Sequence, residues 1–166
     1  MTTQVAAESG TLDVAAQPEK SFVSHATFSE DHDHTLVTAC SDPRFVEATQ
    51  EFIRSAIGVR KFDPLFEPGG PAIFLLAYSI FFVTRPQGQL LHQAHDIRRV
   101  VGIAHYDCRF YLAKHPNLTP EKLRERQTRD LQEFKSEIAR ITPAATVELY
   151  YAHPNAEGRI EFSSVS

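Results

Sequence analysis

The sequence predicts an α/β domain built on a mostly parallel β-sheet flanked by helices. Apolar, strand-like runs alternate with segments of helical periodicity along the chain. Two of these runs, Thr35–Cys40 and Val100–Ala104, are continuously apolar rather than alternating. That pattern belongs to strands covered on both faces, as in parallel sheets. The chain has 166 residues, enough for one domain with a real core.

The elements follow in order. Thr35-Leu-Val-Thr-Ala-Cys40 reads as a buried strand that ends in the turn residues Ser41-Asp42-Pro43. Phe45, Phe52, Ile53 and Ala56 recur at helical spacing, which predicts a helix over Phe45 to Ile57. Pro64, Pro68, Gly69, Gly70 and Pro71 mark a loop. Ala72 to Val83 is apolar on nearly every face and reads as a buried helix or a strand–helix pair, broken by Arg85-Pro86-Gln87-Gly88. A short amphipathic helix is expected over Gln89 to Arg98, then the second strand, Val100 to Ala104. Thr119 is a suitable N-cap, with Pro120 in the first helical position and Glu121 near the positive helix end. Leu123, Leu131, Phe134, Ile138 and Ile141 form the apolar stripe of that helix. Thr146 to Ala152 is a third strand, Asn155 to Gly158 a turn, and Arg159 to Val165 an edge strand.

Charge divides the chain. Residues 1–33 carry a net −5 and residues 34–166 a net +1, together the chain's −4. Residues 1–33 read as an acidic arm, mobile or packed on a partner, and 34–166 as the metal-binding α/β domain. Mild acidity gives no support to nucleic-acid binding. The most apolar stretch, Ala72 to Val83, is shorter than the roughly 20 residues of a bilayer crossing, so no membrane association is expected. Met1 to Gly10 lacks a basic start and an apolar run, so a cytoplasmic location is expected, where thiols are reduced.

Two cysteines exclude a disulfide scaffold, a four-cysteine zinc module and an iron–sulfur ferredoxin. Both follow predicted strands, at the carboxyl ends where open α/β sheets bind ligands. Cys40 opens Cys40-Ser-Asp42-Pro-Arg44, and Cys108 closes His105-Tyr-Asp-Cys108. Cys40, His105 and Cys108 make a Cys₂His set, three zinc ligands with a fourth position open. Arg44 can pair with Asp42 and keep it ionised beside the metal; the alternative is that Asp42 itself closes the site.

The pairing of Cys-x-Asp-x-Arg at one strand end with His-x-x-Cys after the next buried strand resembles the β-class carbonic anhydrases, over roughly residues 34–165. The resemblance implies zinc held by Cys40, His105 and Cys108, and a catalytic dyad of Asp42 and Arg44. It implies hydration of carbon dioxide, a small uncharged substrate, to bicarbonate by zinc-bound hydroxide, and a homodimer or higher homo-oligomer. Related enzymes on this scaffold hydrolyse carbonyl sulfide or carbon disulfide, and a non-catalytic zinc protein is a further alternative. The sequence departs from the family at Ala104 and Arg109, where glycines usually flank His-x-x-Cys. It also has Arg60-Lys-Phe-Asp-Pro and Pro68-Gly-Gly-Pro where the family has Arg-Asn-Ala-Gly-Asn.

Other features read more plainly. Asp31-His32-Asp33-His34 has metal-like spacing but reads as a solvated turn. His92 and His95 read as a polar helix surface. The mixed charges from Glu121 to Asp130 read as a solvated face. Phe62, Phe66, Phe74, Phe81, Phe82 and Tyr106 are candidates for an apolar approach channel, though most suit a core or dimer interface better.

Overall fold

Thr35–Ala39 (β1) pairs in parallel with Arg99–His105 (β3), and β3 pairs in parallel with Thr146–Pro154 (β4). The computed structural model describes residues 22–75 and 78–166. It divides into two units, Met1–Glu30 and Asp31–Ser166. In the first unit Phe22, Val23 and Phe28 are exposed. The second holds the whole sheet, in the order β2-β1-β3-β4-β5, with β2 at Asp63–Phe66 and β5 at Ile160–Ser164. Only β5 runs antiparallel, against β4. The helices are α1 (Pro43–Ser55), α2 (Tyr78–His95), α3 (Arg109–Lys114) and α4 (Pro120–Ile141). Among the described residues, no helix is long and apolar enough to cross a membrane.

The continuous apolarity of β1 and β3 has a direct cause. Leu36, Val100 and Ala104 point to one face, where Ile97, Leu131, Phe134 and Ile138 pack. Val37, Ala39, Val101 and Ile103 point to the other, against Phe45, Ile53 and Val59. Successive strand residues thus feed opposite cores, so both faces are mostly apolar, with Thr35 and Thr38 buried among them. Gly102 lets α4 approach β3: a Cβ there would lie 2.9 Å from the Phe134 ring.

Three expectations are corrected. The segment around Pro64 is not all loop, because Asp63–Phe66 pairs in parallel with β1. Pro64 lacks an N–H for a ladder, and β2 accommodates it as an edge strand. Arg85 to Gly88 does not end a helix: α2 runs through Pro86. There a Cβ on Gly88 would sit 3.5 Å from the Phe74 ring, so burial over the core offsets the missing hydrogen bond. The apolar stretch from Ala72 is not a single α-helix: Gly70–Leu75 forms a 3₁₀ helix that buries Ala72, Ile73 and Phe74, and α2 begins at Tyr78. Residues 76–77, within that stretch, lie outside the described residues, as do the side chains of Phe81 and Phe82.

Candidate metal centre

Cys40 follows the last residue of β1, His105 is the last residue of β3, and Cys108 caps α3. Parallel pairing puts the ends of β1 and β3 side by side, so residues distant in sequence meet. The donor atoms of Cys40, His105 and Cys108 all lie within 4.8 Å of one another, and all three residues are buried. Among the described residues this is the one such group.

Hydrogen bonds decide which atoms are left to bind. His105 Nδ1 lies 2.8 Å from the Tyr106 carbonyl oxygen. A carbonyl only accepts, so Nδ1 carries the proton and the Nε2 lone pair faces away from it. Nε2 is buried and has no partner. The amide of Gln127, from α4, donates to the His105 carbonyl at 2.9 Å and fixes the strand end. The Phe45 ring packs on the imidazole with centroids 4.2 Å apart.

The two sulfurs are 3.8 Å apart, far beyond a disulfide bond of about 2.05 Å. The Cys108 thiol donates to Cys40 and holds the Cys40 thiol well below the usual range, against the cost of burial. The Gly69 N–H, 3.4 Å from Cys40 Sγ, adds to that effect. Cys108 is pushed up by the same contact and by burial. The two thiols thus sit in contact beside an imidazole nitrogen that has no hydrogen-bond partner.

That donor set fits zinc. Two thiolates at about 2.3 Å from one ion in a tetrahedral angle stand about 3.8 Å apart, the spacing seen here. A sulfur- and imidazole-rich set with no carboxylate suits a borderline-soft ion.

Asp42 caps α1 and stays with Arg44. Its carboxylate accepts from Arg44 Nη2 at 2.7 Å, from Arg44 Nε at 3.0 Å and from the Arg44 backbone N–H at 3.0 Å. The Arg44 guanidinium holds the Asp42 carboxyl down to about 2, so it is ionised at neutral pH. Asp107 was not singled out from the sequence. It accepts from Arg44 Nη1 at 2.8 Å through its side chain and from Nη2 at 3.0 Å through its carbonyl. Its φ of 53° turns the chain sharply between His105 and Cys108. An acidic residue inside His-x-x-Cys, two strands from an arginine, was the available signal.

Arg109, in place of the usual glycine, lines the rim of the cavity over Cys40: its side chain is 77% exposed and reaches Asp107 at 3.6 Å. Residues 67–70 do reach it. Ser41 N–H donates to the Glu67 carbonyl and Glu67 N–H to the Ala39 carbonyl, pinning the end of β1. Gly70 has φ 55°, and a Cβ there would lie 2.8 Å from the Cys40 nitrogen, so only glycine fits. A cavity of about 470 Å³ opens over Cys40, Asp42 and Arg44, walled by Pro43, Pro68 and Phe110.

Of the aromatic candidates for an approach channel, those described mostly belong to the core, as expected. Phe74 is in the core, Phe62 and Phe66 pack against its other face, and Tyr106 is 43% exposed. His32, His34, His92 and His95 also stand apart, on segments that precede β1 and β3.

No family model matches this sequence, and no curated protein matches it. Solved structures do resemble it. The β-carbonic anhydrase CafA of Aspergillus fumigatus superposes with a TM-score of 0.52 at 12% identity, over 81% of this chain and 77% of that one. The C39A mutant of the A. fumigatus β-carbonic anhydrase CafD gives 0.51 at 13% identity, over 81% and 91%. A carbonic anhydrase from Streptococcus mutans gives 0.50 at 13%, over 80% and 81%. The chain therefore has the fold of β-carbonic anhydrase structures, with a Cys–His–Cys donor group at the carboxyl end of its parallel strands.

Proposed function

We propose that this chain is a zinc-dependent lyase that hydrates carbon dioxide to bicarbonate, with Cys40, His105 and Cys108 as metal ligands and Asp42 and Arg44 as the catalytic dyad. The observation that carries this reading is the buried, unpaired His105 Nε2 within reach of two thiols, one of them already low in pKa. Bound zinc supplies one thing: it brings the pKa of water from 15.7 to about 7, making a nucleophile at neutral pH.

The chain's own residues do the rest. The two cysteines bind as thiolates and give up their protons. His105 is held in the ligating tautomer by the Tyr106 carbonyl. Asp42 stays ionised and therefore accepts hydrogen bonds only. Its acceptor sites are not exhausted by Arg44, because Arg44 Nε is shared between both carboxylate oxygens at 3.0 and 3.2 Å. Asp42 accepts a hydrogen bond from the attacking oxygen and so aims a lone pair at the substrate carbon. Arg44 prevents Asp42 from turning toward the metal. Pro43, Pro68 and Phe110 give the mouth an apolar side that a small uncharged molecule can pass, with Arg109 on the rim.

That same apolar wall favours a second reading, hydrolysis of carbonyl sulfide or carbon disulfide at the same centre. Metal content and stopped-flow hydration test the first reading. Stoichiometric zinc with a carbon dioxide rate above the buffer blank is expected. Asp42→Asn should keep its zinc and lose about 10²-fold in kcat/KM. Full zinc with no hydration would overturn it, and sulfide release from either sulfur substrate would then establish the second.

A further inference from the structure

Two sequence features that the Cys–His–Cys centre does not use, Asp31–His34 and the pair His92 and His95, meet at the amino end of the sheet. His34 immediately precedes β1, Asp63 opens β2, and His95 ends α2 just before β3. The His32 ring lies 4.3 Å from that of His34 and 5.2 Å from that of His95, centroid to centroid. Four of the chain's eight histidines thus fall in one region, at the end of the strands remote from Cys40 and His105.

The proton positions are informative. His95 Nδ1 is 2.8 Å from Asp63 Oδ1, and His34 Nδ1 is 2.9 Å from the His95 carbonyl oxygen. Both oxygens only accept, so in each neutral ring Nδ1 carries the proton and Nε2 holds the lone pair. His32 and His92 each have a buried Nδ1 without a hydrogen-bond partner. In His34 and His95, as in His105, an oxygen fixes the tautomer with the proton on Nδ1.

Charge and backbone agree. Asp63 contacts His95, and Asp96 lies 4.0 Å from His34 while also pairing with Arg98. His34 and Asp96 both take left-handed backbone, with φ of 50° and 49°. The His34 carbonyl accepts from the Arg98 and Arg99 N–H groups, which hold that conformation. Strained residues of this kind collect where a ligand is held.

We propose that His32, His34 and His95, with His92 as a fourth donor, bind a second divalent transition-metal ion of the kind imidazole favours, such as Zn²⁺ or Ni²⁺. Two imidazoles on one tetrahedral ion at about 2.0–2.1 Å place their centroids about 5 Å apart. The observed 4.3 and 5.2 Å bracket that spacing. The donor atoms are less gathered than those of Cys40, His105 and Cys108, so the rings must rotate to close on the ion. This site is therefore the weaker and the more readily exchanged.

The test is zinc stoichiometry of the full chain after dialysis against micromolar Zn²⁺ at neutral pH. Two ions per chain are expected for the wild type. One is expected for His32→Gln/His95→Gln, and one for Cys40→Ser/Cys108→Ser. A wild-type ion that survives the cysteine changes and disappears with the histidine changes supports this site even if the cysteine centre binds nothing. Two ions retained by the histidine variant, or one wild-type ion lost with the cysteines, would overturn it. Should the histidine variant fail to fold, Co²⁺ added to wild type carrying one equivalent of zinc, which fills the tighter cysteine site first, decides. Saturable visible bands without a near-ultraviolet thiolate band support an imidazole site; no such bands refute it.

Discussion

Arg44 is gripped from two directions, by Asp42 on its own helix start and by Asp107 on the turn between two metal-ligand candidates. The second grip ties the orientation of the Asp42–Arg44 pair to the loop carrying Cys108. Asp107→Asn removes a charge-assisted hydrogen bond, but the Arg44 side chain is 45% exposed, which weakens that bond. A fall of about 3- to 10-fold in kcat/KM with unchanged zinc content is expected, corresponding to roughly 1 kcal/mol. An unchanged rate would show that Asp42 alone positions Arg44. Residue identity carried much of this in advance. That Cys40, His105 and Cys108 come together and that Arg44 contacts Asp42 was legible because the motifs fall at adjoining strand ends. Asp107 was not, because its role depends on a backbone turn with φ of 53°.

A second residue reports through pH. Tyr151 on β4 is 3% exposed, and burial pushes its phenol up to about 12, with Arg124 over the ring partly opposing the shift. In the unfolded chain a tyrosine ionises near 10. The unfolded state therefore loses its proton first as pH rises. Tyr151 leaves stability intact below about pH 10 and erodes it between about 10 and 12. Urea unfolding across that window should show a shallower alkaline loss for Tyr151→Phe than for the wild type. Parallel curves would refute the assignment.

At the scale of elements, α2 and β2 show why local signals misled. Both contain a proline, Pro86 and Pro64, and both were read as interruptions. An edge strand loses little from a missing N–H, and a helix pressed onto a core survives one. The cost is still present in α2. Pro86 is exposed, so Pro86→Ala restores a helical hydrogen bond without disturbing packing. A gain of about 1–3 kcal/mol is expected, seen as a higher midpoint in thermal unfolding. A lower midpoint would mean that the proline sets a bend the core requires. Thr119, Pro120 and the stripe of α4 were read correctly because a cap and a 3.6-residue period are local properties.

Across the whole molecule, the Cys–His–Cys group joins chain segments 68 residues apart. A metal there closes a long loop and binds only the folded state. At a concentration 1,000-fold above its dissociation constant, such an ion contributes about 4 kcal/mol. Chelation should therefore lower the unfolding temperature by several degrees, and zinc should restore it. An unchanged melting curve would mean that the core alone carries the stability.

The sequence by itself determined the α/β class, the two buried parallel strands, the α4 helix and the identity of the donor residues. Each of these rests on local periodicity, capping chemistry or side-chain type. Only the tertiary structure decided that residues 67–70 brace Cys40 and that Asp107 completes the hold on Arg44. It also decided that the His32 ring lies beside those of His34 and His95. These outcomes depend on strand register and on which loop ends become neighbours, and no local pattern encodes a distance between segments that are remote along the chain.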